Sequence, residues 1–151
     1  MKLKTIFYLL FLISLLFIYH SCNQKDPQII NSKSGNKYSV SLNKYLDQAN
    51  FHIEKNNNDS AKYYATKLLS FASESQNNYY LGKSNAIFGY LYLIEQKDDS
   101  AYYYFNKSKE YFLPINDSLN IGKNLGNLSI IQSKFGDYSG SEIAAISALN
   151  Y

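Results

Sequence analysis

The chain has 151 residues, enough for one domain of ordinary size, and 46% of them are hydrophobic, which argues against an unfolded polar chain. Its net charge is +3 and all 15 basic residues are lysine; without Lys2 and Lys4 the balance is 13 lysines against 12 acids. A charge so close to neutral and so evenly spread argues against a nucleic-acid surface built to neutralise phosphates.

Residues 1–21 read as an export leader. Lys2 and Lys4 precede an apolar run from Ile6 to Tyr19, followed by Ser21 and Cys22, which is the order of a secretory signal. The run is 14 residues long, short of the roughly 20 that span a bilayer as a helix. Cys22 is the single cysteine of the chain, so it has no disulfide partner here. "IYHSC" resembles the lipobox of bacterial lipoproteins. That resemblance implies cleavage before Cys22, acylation of Cys22 with fatty acids such as palmitate, and firm anchoring at the cell envelope, on the periplasmic or outer-membrane face. A plain secreted protein and an uncleaved anchor stay open as alternatives.

From residue 22 to 39 the chain is polar, holds Pro27 and Gly35, and shows no periodicity, so a flexible tether is expected. Beyond it the apolar residues recur at helical spacing and alternation at period two is absent, which predicts an all-α domain. The predicted helices are about 40–55, 59–74, 78–96, 99–113, 117–135 and 138–150. The clearest stripe is Ala101, Phe105, Ser108 and Phe112, at i, i+4, i+7 and i+11. The aspartates of "QKDDS" just before it are expected to cap that helix.

Sliding the chain by forty residues reproduces much of its pattern without a gap. Ala49 meets Gly89 and Ser129, Ala61 meets Ala101 and Ser141, and Ala65 meets Phe105 and Ala145. Such a period marks a solenoid of stacked units, here about 40–77, 78–116 and 117–151.

These residues resemble the tetratricopeptide repeat family. Gly89, Tyr92, Ala101, Phe105 and Ser108 follow its small–aromatic–small–aromatic–small pattern in the second unit, with Pro114 near the end. The first unit offers Ala49, His52, Ala61, Ala65 and Leu68, and the third Ser129, Gln132, Ser141, Ala145 and Ala148. The resemblance implies a right-handed superhelical solenoid of about three helix-turn-helix repeats with a 40-residue period. It also implies a concave partner-binding face at Asn50, Ile53, Glu54, Tyr90, Leu93, Ile94, Ile130, Ser133 and Lys134. The family's clamp for peptide carboxylates is matched only at Asn50 and Lys123, while Leu46, Ile87 and Asn127 depart from it; a C-terminal carboxylate ligand is therefore not expected.

Catalysis has little support, and no enzyme activity, cofactor or metal is expected. His52 sits at the repeat's aromatic position and reads as packing. Gly82-Lys83 and Gly122-Lys123 lack the flanking pattern of a phosphate loop. Tyr102, Tyr103, Tyr104 and Phe105 point about 100° apart around a helix, so they form no flat platform; Phe105 belongs to the core, while Tyr102 and Tyr103 cover neighbouring helices or face water. "DSA" at 59–61 and 99–101 and "DSL" at 117–119 resemble an O-glycosylation acceptor of some Gram-negative bacteria, with Ser60, Ser100 and Ser118 as the acceptors; helix capping explains them equally. The expected function is a non-catalytic, lipid-anchored scaffold at the cell envelope that binds a protein or peptide partner. The alternatives are the sensory region of a longer bacterial regulator and, more weakly, a glycan-binding accessory. Ile143, Ile146, Leu149 and Tyr151 leave the last helix apolar outward, which raises self-association.

Overall fold

A computed structural model describes residues 32–151, and there the chain is all-helical. The helices are α1 (Ser32–Glu54), α2 (Asn58–Glu74), α3 (Asn78–Ile94), α4 (Asp98–Phe112), α5 (Ser118–Lys134) and α6 (Tyr138–Leu149), with one 3₁₀ turn at Leu113–Ile115. The expected leader, the acylation site Cys22 and residues 22–31 of the expected tether lie outside the described residues.

Helix starts recur every twenty residues, at Asn58, Asn78, Asp98, Ser118 and Tyr138. The joints repeat just as regularly. The left-handed backbone appears at Asn56, Gln76, Gln96, Asn116 and Gly136, with φ of 54°, 49°, 59°, 52° and 78°. At the first joint the Asn56 N–H donates to the Ile53 carbonyl at 2.9 Å and the Asn57 N–H to the His52 carbonyl at 2.8 Å. That pair of bonds is a Schellman motif, which satisfies carbonyls the helix end would otherwise leave bare. It recurs at all five joints. The residue after the left-handed one then opens the next helix: side-chain oxygens of Asn57, Asn77, Asp117 and Asp137 accept from the backbone N–H three residues on.

Two sequence expectations need correcting. Part of the expected tether, residues 32–39, is helix: α1 already includes Ser32, the first described residue, because a helix held by the buried Leu42, Leu46 and Ala49 extends at one hydrogen bond per added residue. Nor do the aspartates of "QKDDS" cap α4. Its N-cap is Lys97, which makes no side-chain cap bond, and Asp98 and Asp99 lie in the first turn, where they favour the positive helix end. The Schellman bond from Lys97 N–H to Tyr92 carbonyl fixes the cap one residue earlier than the sequence suggested. Pro114, lacking an N–H, ends α4 early, and the 3₁₀ turn carries the chain on to Asn116 in step with the other joints.

Packing joins each helix to the next. Leu42, Leu46 and Ala49 of α1, Ala61, Ala65 and Leu68 of α2, and Leu81, Phe88 and Leu91 of α3 belong to one buried cluster. Ala101 and Phe105 of α4 form a second with Leu128 and Ile131 of α5. The α4 stripe is buried as its spacing predicts: Ala101, Phe105, Ser108 and Phe112 are all at most 1% exposed. Two glycines of α3 make room for it. A Cβ at Gly82 would stand 2.6 Å from the Phe112 ring, and one at Gly89 would stand 2.9 Å from the Phe105 ring. Forty residues earlier the places of Gly89 and Phe105 are taken by Ala49 and Ala65, so a large side chain on one helix is matched by a missing one on its neighbour.

A polar thread crosses three helices through this core. Asn124 Nδ2 of α5 donates to Ser108 Oγ of α4 at 2.8 Å, and Ser108 Oγ donates to the Gly82 carbonyl of α3 at 2.8 Å. Among the described residues no buried side-chain polar atom is left without a hydrogen bond, which burial demands.

Candidate functional site

The first helix of each successive pair, α1, α3 and α5, contributes to one open groove of about 300 Å³. Asn50 and Ile53 come from α1; Lys83, Ala86, Ile87 and Tyr90 from α3; Asn120, Lys123, Asn124 and Asn127 from α5. Phe105 of α4 also lines it. The register of the three helices is held by equivalent bonds: Tyr80 Oη donates to Asn43 Oδ1 at 2.7 Å, and Lys83 Nζ donates to Asn120 Oδ1 at 3.3 Å. Asn43 and Lys83, and likewise Tyr80 and Asn120, are forty residues apart, so the second bond occupies the place of the first one pair further on.

The groove mixes apolar walls with a concentrated positive charge. Burial pushes the Lys83 ammonium below its ordinary value, and the like charge of Lys123 pushes the same way, against a smaller upward pull from Asp117. Asp117 does not contact Lys83 directly. Its carboxylate accepts from the Asn120 backbone N–H at 3.1 Å and from Asn120 Nδ2 at 2.7 Å, which turns Oδ1 of Asn120 toward Lys83. A Tyr79 ring lies 5.9 Å from the same ammonium. Among the described residues the ion pairs are Lys97–Glu95, Lys107–Glu110 and Lys134–Asp98, and neither groove lysine takes part in them.

Of the concave face expected from the sequence, Asn50, Ile53 and Tyr90 come together in the groove. The others lie elsewhere. Glu54 is exposed at the end of α1, and Ile94 is exposed at the end of α3. Leu93 packs against the cluster of Ala101, Phe105, Leu128 and Ile131. Ile130 and Ser133 are exposed on α5, and Lys134 ties the end of that helix to the start of α4 through Asp98 at 2.9 Å. Sequence reasoning passed over Lys83, Asn120 and Asn124. A signal was there: Lys83 and Lys123 are forty residues apart, and the repeat puts such residues on equivalent helix positions, but in the sequence Lys83 reads only as part of a phosphate loop and Lys123 only as that or as a match to the carboxylate clamp. Both lie well inside helices.

The remaining candidates are scattered. His52 stacks on Tyr64 with ring centroids 5.3 Å apart and an interplanar angle of 8°. Tyr104 stacks on Tyr92 at 5.3 Å and 14°; burial raises its phenol pKa first, with Tyr92 and Tyr103 adding to the rise. Tyr103 is 58% exposed, and Tyr102 leans toward Phe135 at 6.4 Å. Ser60 and Ser100 are partly exposed in the first turns of α2 and α4, and Ser118 is exposed at the start of α5. The capping side chains belong to Asn57 and Asp117, not to these serines. Ile143, Ile146, Leu149 and Tyr151 are exposed. Among the described residues no three His, Cys, Asp or Glu side chains gather as a metal would need, and no helix is long and apolar enough to cross a membrane. Comparison with protein-family models, with curated proteins and with solved structures finds no match.

Proposed function

We propose that this chain is a tetratricopeptide-like solenoid of three helix pairs, α1–α2, α3–α4 and α5–α6, that holds a protein or peptide at the cell envelope. The observation that carries the reading is the groove: three helices, each the first of its pair, converge on one open channel with apolar walls and polar fixtures, the form in which stacked helix pairs present an extended binding surface. The fixed twenty-residue spacing of joints supports a stack of like units. Anchoring rests on the leader and on Cys22, whose acylation would confine the groove to a membrane surface.

Two measurements test this. A photo-crosslinking residue in place of Tyr90, on the groove wall, is expected to trap a discrete protein or peptide in native membranes, whereas the same residue in place of Tyr63, outside the groove, is not. Equal labelling from both positions, or none from Tyr90, refutes the groove as the binding surface. Separately, Cys22→Ser is expected to abolish incorporation of labelled palmitate and to shift the protein out of the membrane fraction; unchanged labelling refutes the anchor.

A further inference from the structure

We infer that a cleft of about 200 Å³ walled by α4, α5 and α6 binds a small free phenol, one aromatic ring with a hydroxyl group, in the place where the two earlier helix pairs carry a ring of their own. The cleft shares no lining residue with the groove of α1, α3 and α5, so this site stands apart from peptide binding there.

A missing ring marks the site. In the first pair Tyr64 lies flat on His52, with centroids 5.3 Å apart and planes at 8°. In the second, Tyr104 lies flat on Tyr92 at 5.3 Å and 14°, and its ring also packs on Phe88 at 5.3 Å. Forty residues beyond Phe88, Tyr92 and Tyr104 stand Leu128, Gln132 and Ala144, and all three line the cleft. The third pair therefore lacks both stacked rings, and an opening lies against the positions that would hold them. Apolar walls with nothing against them forfeit dispersion contacts, which an entering ring restores.

Size and chemistry narrow the occupant. A cavity of about 150 Å³ takes one benzene ring, so the cleft admits a single ring with a small substituent. Leu125, Leu128 and Ala144 give it apolar walls, while Lys109, Gln132 and Ser147 supply polar groups, a mixture that suits a ring with a polar end. Neither the Lys109 ammonium nor the Ser147 hydroxyl has a hydrogen-bond or ion-pair partner among the described residues. Gln132 is drawn to one side: its Nε2 donates to Asp137 Oδ2 at 3.4 Å, and Gly140 makes room, since a Cβ there would stand 2.6 Å from that nitrogen. The Gln132 Oε1 is left to accept from a phenol. Every lining residue lies within a helix, where main-chain groups are spent on the helix itself. A peptide laid across the cleft would find no backbone partners, which favours a free molecule over the side chain of a protein.

The full chain in detergent micelles is titrated with p-cresol, the tyrosine side chain as a free molecule, and followed by amide NMR, with free ligand measured by dialysis against empty micelles. Saturable shifts are expected at Gly140 and Ala144, with a Kd on the order of 1 mM, and none at Ala86 in the groove. Ala144→Tyr returns a ring to the position of Tyr64 and Tyr104, and should weaken binding by about tenfold or more while raising Tm. Should that variant fold poorly, the contrast is read from the ligand side: toluene, without the hydroxyl, should bind about threefold to tenfold more weakly than p-cresol, and 4-methylcyclohexanol, without the flat ring, should also bind more weakly. No saturable shift at the cleft, equal binding of either analogue, or undiminished binding to a folded Ala144→Tyr overturns the inference. Tighter binding of N-acetyltyrosine amide than of p-cresol overturns the free ligand and gives the cleft to a protein's tyrosine. None of these results bears on the groove, whose test is the crosslink at Tyr90.

Discussion

Gly82 and Gly126 occupy comparable helix interiors but opposite surroundings, so the same substitution should change stability in opposite directions. At Gly82 an added Cβ would stand 2.6, 2.7 and 2.8 Å from three atoms of the Phe112 ring. Comfortable carbon–carbon contact is about 3.5–4.0 Å, so the ring must retreat by roughly 1 Å. Phe112 is 0% exposed, and the buried ring has little freedom to do so. Overpacking of this kind costs about 1–3 kcal/mol, while alanine in place of glycine in a helix returns up to about 1 kcal/mol. Gly82→Ala is therefore expected to destabilise by about 1–2 kcal/mol. Around Gly126 a Cβ would meet nothing within 4 Å, leaving only the helix gain, so Gly126→Ala is expected to stabilise by up to about 1 kcal/mol. At roughly 4 °C per kcal/mol for a domain of this size, the two variants should melt on the order of 4–12 °C apart. Denaturant unfolding with unchanged slope confirms that the native state is what changed. Adding Phe112→Leu should relieve part of the Gly82→Ala penalty, a coupling visible in a double-mutant cycle. If Gly82→Ala stabilises as much as Gly126→Ala does, Phe112 does not rest on the α3 backbone and the close helix contact is refuted.

The Lys97 joint lacks the capping bond its equivalents have; Lys97→Asn is expected to raise stability by about 1 kcal/mol, offset slightly by loss of the exposed Glu95 pair, and an unchanged or lower Tm counts against the joint geometry. Ser108→Ala should cost about 1–3 kcal/mol, because it strands the buried Asn124 amide and removes the second bond to the Gly82 carbonyl; a neutral result in urea unfolding would mean the thread is dispensable. Lys83→Met should leave stability unchanged or raise it near neutral pH. Its ammonium is held below the usual value by burial and then by Lys123, so the folded chain releases that proton more readily than the unfolded one. The cost is fully present below the lowered pKa and is relieved as pH rises toward the ordinary lysine value. The stability difference between wild type and Lys83→Met should thus narrow through that alkaline window, and a widening gap would contradict the sign.

Much of the helical layout was legible because burial writes itself as spacing. Ala101, Phe105, Ser108 and Phe112 repeat at helical intervals and all vanish from the surface, and α2 and α5 begin and end within a residue of their expected bounds. The joints were harder. Their left-handed positions hold Asn, Gln, Gln, Asn and Gly, with no single residue type common to all five, so the twenty-residue step hid behind the forty-residue resemblance. The helical state of residues 32–39 is not legible in the sequence because Ser32 to Ser39 offers no apolar stripe, only backbone continuity with a helix anchored further on. For the groove, the expected face included Leu93, Ile94, Ser133 and Lys134, which cluster at helix ends; the structure sets those residues around the joints, and the open channel lies earlier along α3 and α5. Charge placement was the other gap, because whether Lys83 and Lys123 share a cavity depends on how three helices stack, which no local pattern encodes.

Four of the five joints use one residue for two tasks: Asn57, for example, closes α1 with its N–H and opens α2 with its side chain. Such a hinge has no slack. One residue inserted there would rotate every following helix by about 100° and carry its buried face into water, whereas inserting a whole twenty- or forty-residue block would leave each neighbour's facing intact. The protein is therefore expected to tolerate lengthening only in whole helices or helix pairs, so that duplication of complete segments, rather than small insertions, is the route by which such a chain can grow.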